Sequence, residues 1–110
     1  MPNKPVIDIL EACCRVEDEE IVNRWYNEVH IPILFRSGKL KTVSRYKAVG
    51  GPPGTVRFFT ICSYDNPKDF EDFLTCPEFA AAGKKSPEMQ SVKMDNSPPV
   101  HCVLDKEWKR

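Results

Sequence analysis

The chain has 110 residues, of which 41% are hydrophobic and 10% aromatic, and its 16 basic and 16 acidic residues leave no net charge. A chain of this length fits one domain, spanning residues 1–110. The balanced charge disfavours nucleic-acid partners, because binding to a phosphate backbone depends on an excess of basic side chains. The absence of a signal-peptide pattern and of any apolar run of about 18 residues predicts a soluble cytoplasmic protein with no membrane partner.

Five cysteines are present, an odd number with no C-x-x-C pair, at Cys13, Cys14, Cys62, Cys76 and Cys102. Most of them lie in apolar runs, which is typical of buried free thiols in a reducing compartment. His30 and His101 are far apart in the sequence and no cysteines have ligand spacing, so we expect no metal site. A catalytic cysteine is a minor alternative, and no motif indicates a cofactor.

The first predicted element is a strand, because Val6–Val16 is a run of apolar and β-branched residues that follows Pro5. The acidic run Glu17–Glu20 is typical of the first turn of a helix. Apolar residues then recur at helical spacing, at Ile21, Val22, Trp25, Tyr26, Val29 and Ile33. This spacing predicts an amphipathic helix. Because Pro32 disfavours helical backbone, we expect a regular helix to about His30 and a bent final turn.

A β-hairpin is predicted next. Leu40–Val49 and Thr55–Tyr64 are strand-like runs, and Gly50–Gly54 between them is a glycine- and proline-rich turn. A second helix follows the hairpin, with Asn66 as its N-cap and Pro67 at its first position.

The last third of the chain predicts short helical pieces and one more strand. Pro77 and Pro87 interrupt the helical pattern, and Val100–Trp108 has the composition of a strand. The order β-α-β-β-α-β predicts an α+β, ferredoxin-like fold, in which both helices lie on one face of a four-stranded antiparallel sheet.

The other face of that sheet is also apolar in part. Along the second hairpin strand, one side carries Val56, Phe58, Thr60, Cys62 and Tyr64, and the other carries Arg57, Phe59, Ile61 and Ser63. A sheet with helices on one face needs its second face covered. A second copy of the chain across a two-fold axis would do so, and we therefore expect a homodimer in which Trp108 takes part in the packing.

The segment Asp18–Lys47 combines an acidic helix start, a W-Y-x-x-x-H run, a proline, a glycine and an R-Y pair, at Trp25, Tyr26, His30, Pro32, Gly38, Arg45 and Tyr46. It resembles the first-helix signature of EthD-like proteins of the dimeric α+β barrel superfamily, and Phe73–Phe79 resembles their second helix more loosely. The resemblance implies a homodimer that shares a barrel, with a ligand pocket beside the first helix.

Proteins of that superfamily carry out different chemistry, so the fold alone does not select a reaction. They include cofactor-independent polyketide cyclases and decarboxylases, muconolactone-type isomerases, quinone-forming monooxygenases and haem-handling enzymes.

His30 is the residue on which a catalytic interpretation depends. On a helix it is a neighbour of Tyr26, with Asn27 and Asn23 close by, so a phenol, an imidazole and carboxamides could bind a small carbonyl or phenol and exchange a proton with it. Histidine has a reference pKa of about 6.5, and a position at the end of a helix should favour its charged form. The alternative is that His30 only caps carbonyl groups and that Trp25 is a core residue.

Arg45 and Tyr46 point to opposite faces of their strand, so at most one of them shares the His30 pocket. We favour Tyr46, with Arg45 in a structural ion pair to acidic residues of the first helix. His101 on the last strand is a weaker second base, and Asp8 on the first strand is weaker still.

These observations predict a cofactor-independent enzyme, a lyase, cyclase, dehydratase, decarboxylase or isomerase, that acts on a small aromatic or polyketide-like carbonyl compound. His30 would be the general acid or base, assisted by Tyr26 and Tyr46, and the substrate-binding residues would be Trp25, Asn27, Arg45 and His101. The alternatives are a non-catalytic, small-molecule-binding dimer and an oxygenase of the same superfamily. The oxygenase would be cofactor-free or linked to haem, with one of the two histidines as the ligand of the iron.

Overall fold

A computed structural model describes residues 4–110. The strands are β1 (Val6–Arg15), β2 (Thr42–Lys47), β3 (Thr55–Tyr64), β4 (Asp95–Asn96) and β5 (Val100–Val103). The α-helices are α1 (Glu19–Trp25), α2 (Ile31–Phe35), α3 (Pro67–Leu74) and α4 (Pro77–Ala82). Short 3₁₀ turns span Val16–Asp18 and Pro87–Ser91, and a π-helical turn, Tyr26–His30, joins α1 to α2.

The strands form one antiparallel sheet in the order β2-β3-β1-β4, and β5 also pairs with β1. The two short strands share one edge of β1: β5 pairs with Val6–Ile9, and β4 pairs with Ala12 and Cys13. Pro98 and Pro99 separate them, and proline has no N–H to continue the ladder. The position of the fourth strand in the sheet is therefore filled by two pieces, of which only β5 lies within the predicted Val100–Trp108, and the predicted ferredoxin-like order is confirmed.

Two strands are shorter than the sequence predicts. β2 spans Thr42–Lys47 instead of Leu40–Val49, and the last strand ends at Val103 instead of Trp108. The N–H of Leu104 still donates to the carbonyl of Pro5, at 2.9 Å, but the charged residues beyond it are exposed and lie outside the sheet.

The first helix differs from its prediction because of how it accommodates Pro32. Regular α-helical geometry ends at Trp25 instead of near His30, and after the π-helical turn the helix continues to Phe35, where a bent final turn was predicted. The turn before the proline is widened, since the N–H of Ile31 donates to the carbonyl of Tyr26, five residues back. A π-helical turn of this kind leaves room for the proline ring and needs no hydrogen bond from its nitrogen. His30 is consequently inside a continuous helix.

The second helix begins as predicted. The side chain of Asn66 accepts a hydrogen bond from the N–H of Asp69, at 2.9 Å, and Pro67 occupies the first helical position. This is the usual chemistry of a helix N-terminus. The helical pieces after it are short, as the prolines predict.

The core lies between the helices and one face of the sheet and consists of two clusters. One contains Val6, Leu34, Leu40, Cys62, Tyr64, Phe73 and Ala82, and the other contains Cys14, Val22, Trp25, Val56, Phe58, Met89 and Val92. The first helix contributes Leu34 to one cluster and Trp25 to the other, so the π-helical turn crosses the space between them. Nothing within residues 4–110 forms a helix long and apolar enough to cross a membrane.

Candidate active site

The π-helical turn assembles three rings. The centroids of Trp25 and His30 are 4.4 Å apart, with the rings nearly parallel at 20°. Tyr26 meets both edge-on, at 5.3 Å from Trp25 and 5.0 Å from His30. In a regular α-helix, residues five apart point to different sides, whereas the wider π-helical turn brings them to the same side. The widened turn therefore places His30 on the tryptophan.

One nitrogen of His30 is fixed by the backbone. Nδ1 lies 2.6 Å from the carbonyl oxygen of Ala82, at the end of α4. Since a carbonyl only accepts, Nδ1 carries the hydrogen, and in the neutral ring Nε2 is then an acceptor. Within the described residues no hydrogen bond reaches Nε2. His30 thus caps another helix with one nitrogen and keeps the other available.

The charge state of His30 differs from the prediction. Burial lowers the pKa of His30, and the bond to Ala82 opposes this only in part. The stabilisation of the charged form that was expected from the end of its own helix is absent, because that helix continues past His30. Desolvation therefore dominates, and the ring is a neutral base at neutral pH.

Two cavities meet at His30. The outer cleft has a volume of about 320 Å³ and is bordered by Trp25, Met89, Met94 and Lys85, among others. The inner cavity, of about 120 Å³, is bordered by Asp8, Ile31, Leu34, Cys62, Tyr64, Phe73 and Phe79. Four residues, Leu10, Tyr26, His30 and Thr60, border both. The imidazole is consequently part of the wall that the two spaces share.

Tyr26 is held as a hydrogen-bond donor. Burial raises the pKa of its phenol, against the opposing influence of the Arg45 guanidinium. That guanidinium lies 4.4 Å from the centre of the Tyr26 ring and 3.6 Å from the centre of the Phe58 ring. Such stacking fixes the tyrosine ring by cation–π attraction. The phenol stays protonated at neutral pH.

Arg45, and not Tyr46, faces the first helix, so the predicted placement of Tyr46 in the His30 pocket is wrong. Tyr46 points to the opposite face of the sheet and is 59% exposed. The predicted ion pair of Arg45 is wrong as well: its Nη1 donates to Oδ1 of Asn23, at 2.6 Å. The acidic residue of this region, Glu19, pairs instead with Lys47, at 2.8 Å.

Asn27 lies away from His30. It borders a separate depression of about 260 Å³ on the other side of Tyr26, together with Arg45, Pro32 and Phe35. Neither the outer cleft nor the inner cavity has Asn27 in its wall. The π-helical turn shifts the side chains from the α-helical positions on which the prediction was based.

Asp8, Tyr64 and His101 form a hydrogen-bonded group that the sequence did not reveal as a unit. Asp8 is only 6% exposed. The hydroxyl of Tyr64 donates to its Oδ2, at 2.9 Å, and Nδ1 of His101 contacts its Oδ1. Asp8 and His101 are direct partners in the β1–β5 register. Asp8 and Tyr64 border the inner cavity, whereas the ring of His101 packs against Phe70, at 4.9 Å.

The two buried cysteines, Cys14 and Cys62, give no support to nucleophilic catalysis. Burial raises the pKa of Cys62, which borders the inner cavity, to about 12 and also raises that of Cys14. Only the thiolate is a strong nucleophile, and these thiols stay protonated at neutral pH. Across residues 4–110, no group of three or more His, Cys, Asp or Glu side chains could hold a metal ion.

No protein-family model and no curated protein matches the chain, but solved structures do. An EthD family protein from Bacillus halodurans is 16% identical with a TM-score of 0.57, and the match covers 84% of this chain and 97% of that one. A candidate antibiotic biosynthesis monooxygenase from Bacillus cereus is 10% identical, with a TM-score of 0.66 and coverages of 97% and 99%. A dimeric protein of unknown function and ferredoxin-like fold from Bacteroides fragilis is 19% identical, with a TM-score of 0.64 and coverages of 94% and 100%.

The predicted ferredoxin-like α+β fold is confirmed. At these identities the likeness establishes the fold, and the chemistry has to be argued from the residues of the site.

Proposed function

We propose that the protein is a cofactor-independent acid–base enzyme that acts on a small aromatic or polyketide-like carbonyl compound, with His30 as the general base. The observation that carries the proposal is the geometry of His30. Its Nδ1 is fixed by the carbonyl of Ala82, its Nε2 is an available acceptor, and its ring borders both cavities. A neutral imidazole held in this way is suited to accept a proton near neutral pH.

The proposed reaction begins with proton removal. Nε2 of His30 takes a proton from the carbon next to a carbonyl group, or from a phenol, and the substrate becomes an enolate or phenolate. Tyr26 and Thr60 border the same space and can donate hydrogen bonds to the oxygen that gains negative charge. The protonated His30 then returns its proton to another carbon or to a leaving oxygen, which restores the neutral base.

Isomerisation, dehydration, decarboxylation and cyclisation all use this proton transfer and differ in the bond that breaks or forms afterwards. Trp25 supports it by stacking on His30. Arg45 fixes the position of Tyr26, since its guanidinium stacks on the Tyr26 ring.

We also propose that the enzyme is a homodimer joined through the face of the sheet that the helices leave free. This face carries Ile7, Ile9, Phe59, Ile61 and the exposed Tyr46 and Val100. Apolar faces of this kind are typical of contact surfaces. Several proteins with this fold are named as dimeric, including those from Bacteroides fragilis and uncultured marine organisms.

A cofactor-free oxygenase is the second candidate, because proteins of this fold from Bacillus cereus and Nitrosomonas europaea are named as candidate antibiotic biosynthesis monooxygenases. The same base would form the phenolate, which would then react with dioxygen. Consumption of dioxygen with a phenolic substrate distinguishes the oxygenase from the acid–base enzyme. A protein that only binds small molecules would catalyse neither proton exchange nor dioxygen consumption.

The test does not require the natural substrate. Exchange of the acidic C–H protons of 4-hydroxyacetophenone and 2-tetralone with deuterated water can be followed by NMR. We expect the wild type to accelerate exchange and His30→Ala to lose at least about 100-fold, since a positioned base contributes about 10²–10⁴-fold. Circular dichroism checks that the variant is folded. Equal exchange by the folded variant and the wild type would contradict the role of His30.

A further inference from the structure

The inner cavity has the size of a single aromatic ring. Its volume is about 120 Å³, which is somewhat smaller than, but close to, the apolar protein cavity of about 150 Å³ that holds benzene. Most of its wall is apolar, with Leu34, Phe73 and Phe79 among the side chains that a ring would contact. The rings of Phe73 and Phe79 already meet edge-on at 5.2 Å. A third ring can add favourable edge-to-face contacts to such a pair.

The polar groups of this cavity are of two kinds. One is the carboxylate of Asp8, and the other is the set formed by His30, Tyr26 and Thr60, which the cavity shares with the outer cleft. A carboxylate has about four acceptor positions. Tyr64 and His101 each occupy one of them. Asp8 therefore keeps acceptor capacity for a ligand that enters the cavity.

The chemistry of the ligand follows from this arrangement. A carboxylate on the ligand would be repelled by Asp8, and an ammonium group would have to be stripped of water in a largely apolar space. The imidazole of His101 already lies on one oxygen of Asp8. A neutral hydroxyl on an aromatic ring suits the free acceptor position of Asp8, because it donates one hydrogen bond and carries no charge.

We propose that the inner cavity binds one phenolic ring of the substrate, with the phenol hydroxyl donating to Asp8 and the rest of the molecule in the outer cleft. This inference rests on the proposed function and names the substrate class of the same site. Asp8 is then a substrate-binding residue. His101 acts through Asp8, as a positioning residue outside the cavity wall.

The experiment compares three probes of similar size: phenol, anisole and benzylamine. Dissociation constants come from NMR titrations of the full chain, in which the ring signals of the two histidines are followed separately. We expect phenol to bind at least about tenfold more tightly than anisole and to shift the signals of His101 as well as those of His30. Intermolecular NOEs should connect the phenol ring to Phe73 and Phe79.

Two variants test whether the preference for phenol over anisole depends on Asp8. Asp8→Asn should reduce the phenol-to-anisole ratio severalfold, whereas Asp65→Asn, at an exposed residue paired with Lys41, should leave the ratio unchanged. If Asp8→Asn does not fold, the NOEs of the wild type decide the question alone. Equal affinities for phenol and anisole, tightest binding of benzylamine, or NOEs only to Met89 and Met94 of the outer cleft would overturn the proposal.

The outcome is separable from the proposed catalytic function. His30→Ala should reduce proton exchange at least about 100-fold, whereas the phenol-to-anisole ratio is read on the wild type. If exchange depends on His30 but the ratio is one, only the assignment of the inner cavity is overturned. If the ratio is high but the wild type accelerates no exchange, the binding assignment stands and the acid–base function is overturned.

Discussion

The two histidines of this protein are anchored in contrasting ways. His30 lies on an irregular turn of a helix, and its anchor is a neutral backbone carbonyl, that of Ala82. His101 lies on a regular strand, and its anchor is the buried carboxylate of Asp8. The Ala82 carbonyl fixes the orientation of the His30 ring and only partly offsets the effect of burial on its pKa, whereas the His101 ring is bonded to a carboxylate. The first arrangement suits proton transfer, and the second suits structure and the positioning of Asp8.

The largest effect that this contrast predicts is a loss of stability at the carboxylate. Asp8→Ala removes the acceptor of the buried Tyr64 hydroxyl and the partner of His101. We expect the free energy of unfolding to fall by about 2–4 kcal/mol, because buried donors are left unpaired, although the half-exposed His101 recovers part of the loss in water.

Urea denaturation measures this change. Asp95→Ala, at an exposed residue of β4, is the control and should stay within about 0.5 kcal/mol of the wild type. A change of that small size in Asp8→Ala would mean that the group is not a structural anchor.

The overall fold was predictable because its signals are local. Alternation along Thr55–Tyr64, the glycine turn before it and the Asn66 cap each depend on residues that are close in the sequence, and the structure has all three. The π-helical turn was not predictable in this way. Its ring contact joins residues five apart, a spacing that α-helical periodicity assigns to different sides, and Pro32 indicated a bent turn only after His30.

The site was predictable only in part, because its polar groups meet through strand register. Asp8 pairs with His101 across the β1–β5 ladder, and no short-range pattern links positions so far apart. For Arg45 and Tyr46, alternation correctly predicted opposite faces but not which residue faces inward. A signal was available: a planar guanidinium stacks well between aromatic rings, here those of Tyr26 and Phe58, and a long apolar stem can be buried behind it.

The second prediction concerns the Tyr26 hydroxyl beside His30 and tests whether the His30 site is the catalytic one. Tyr26→Phe removes a hydroxyl that borders both cavities and leaves the ring stacked under Arg45. We expect the rate of proton exchange to fall by about 100-fold, which is the lower end of the range of about 10²–10³-fold for loss of one donor to a developing oxyanion.

Tyr46→Phe is the matched control, since it makes the same chemical change on the opposite face of the sheet. It should alter the exchange rate by less than about twofold. Equal losses in the two variants, followed in the same NMR assay, would refute the assignment of Tyr26 to the reacting space.

The smallest effect is on the pH dependence of stability, and it arises from His30. Burial places the pKa of His30 in the folded protein below its ordinary value of 6.5. As the pH falls below 6.5, the unfolded chain binds a proton at this residue before the folded protein does. The free energy of unfolding therefore decreases with falling pH until the lowered folded pKa is passed, below which His30 contributes no further change.

His30→Gln should remove this contribution, so that its stability declines less steeply than that of the wild type in urea denaturation between pH 7.5 and pH 5. His101→Gln serves as the comparison, because it leaves His30 and the Ala82 carbonyl in place and should retain the His30 contribution. If the wild type and His30→Gln have the same pH slope while His101→Gln differs, the roles of the two histidines are reversed: the strand histidine would carry the proton and the helix histidine would only pack.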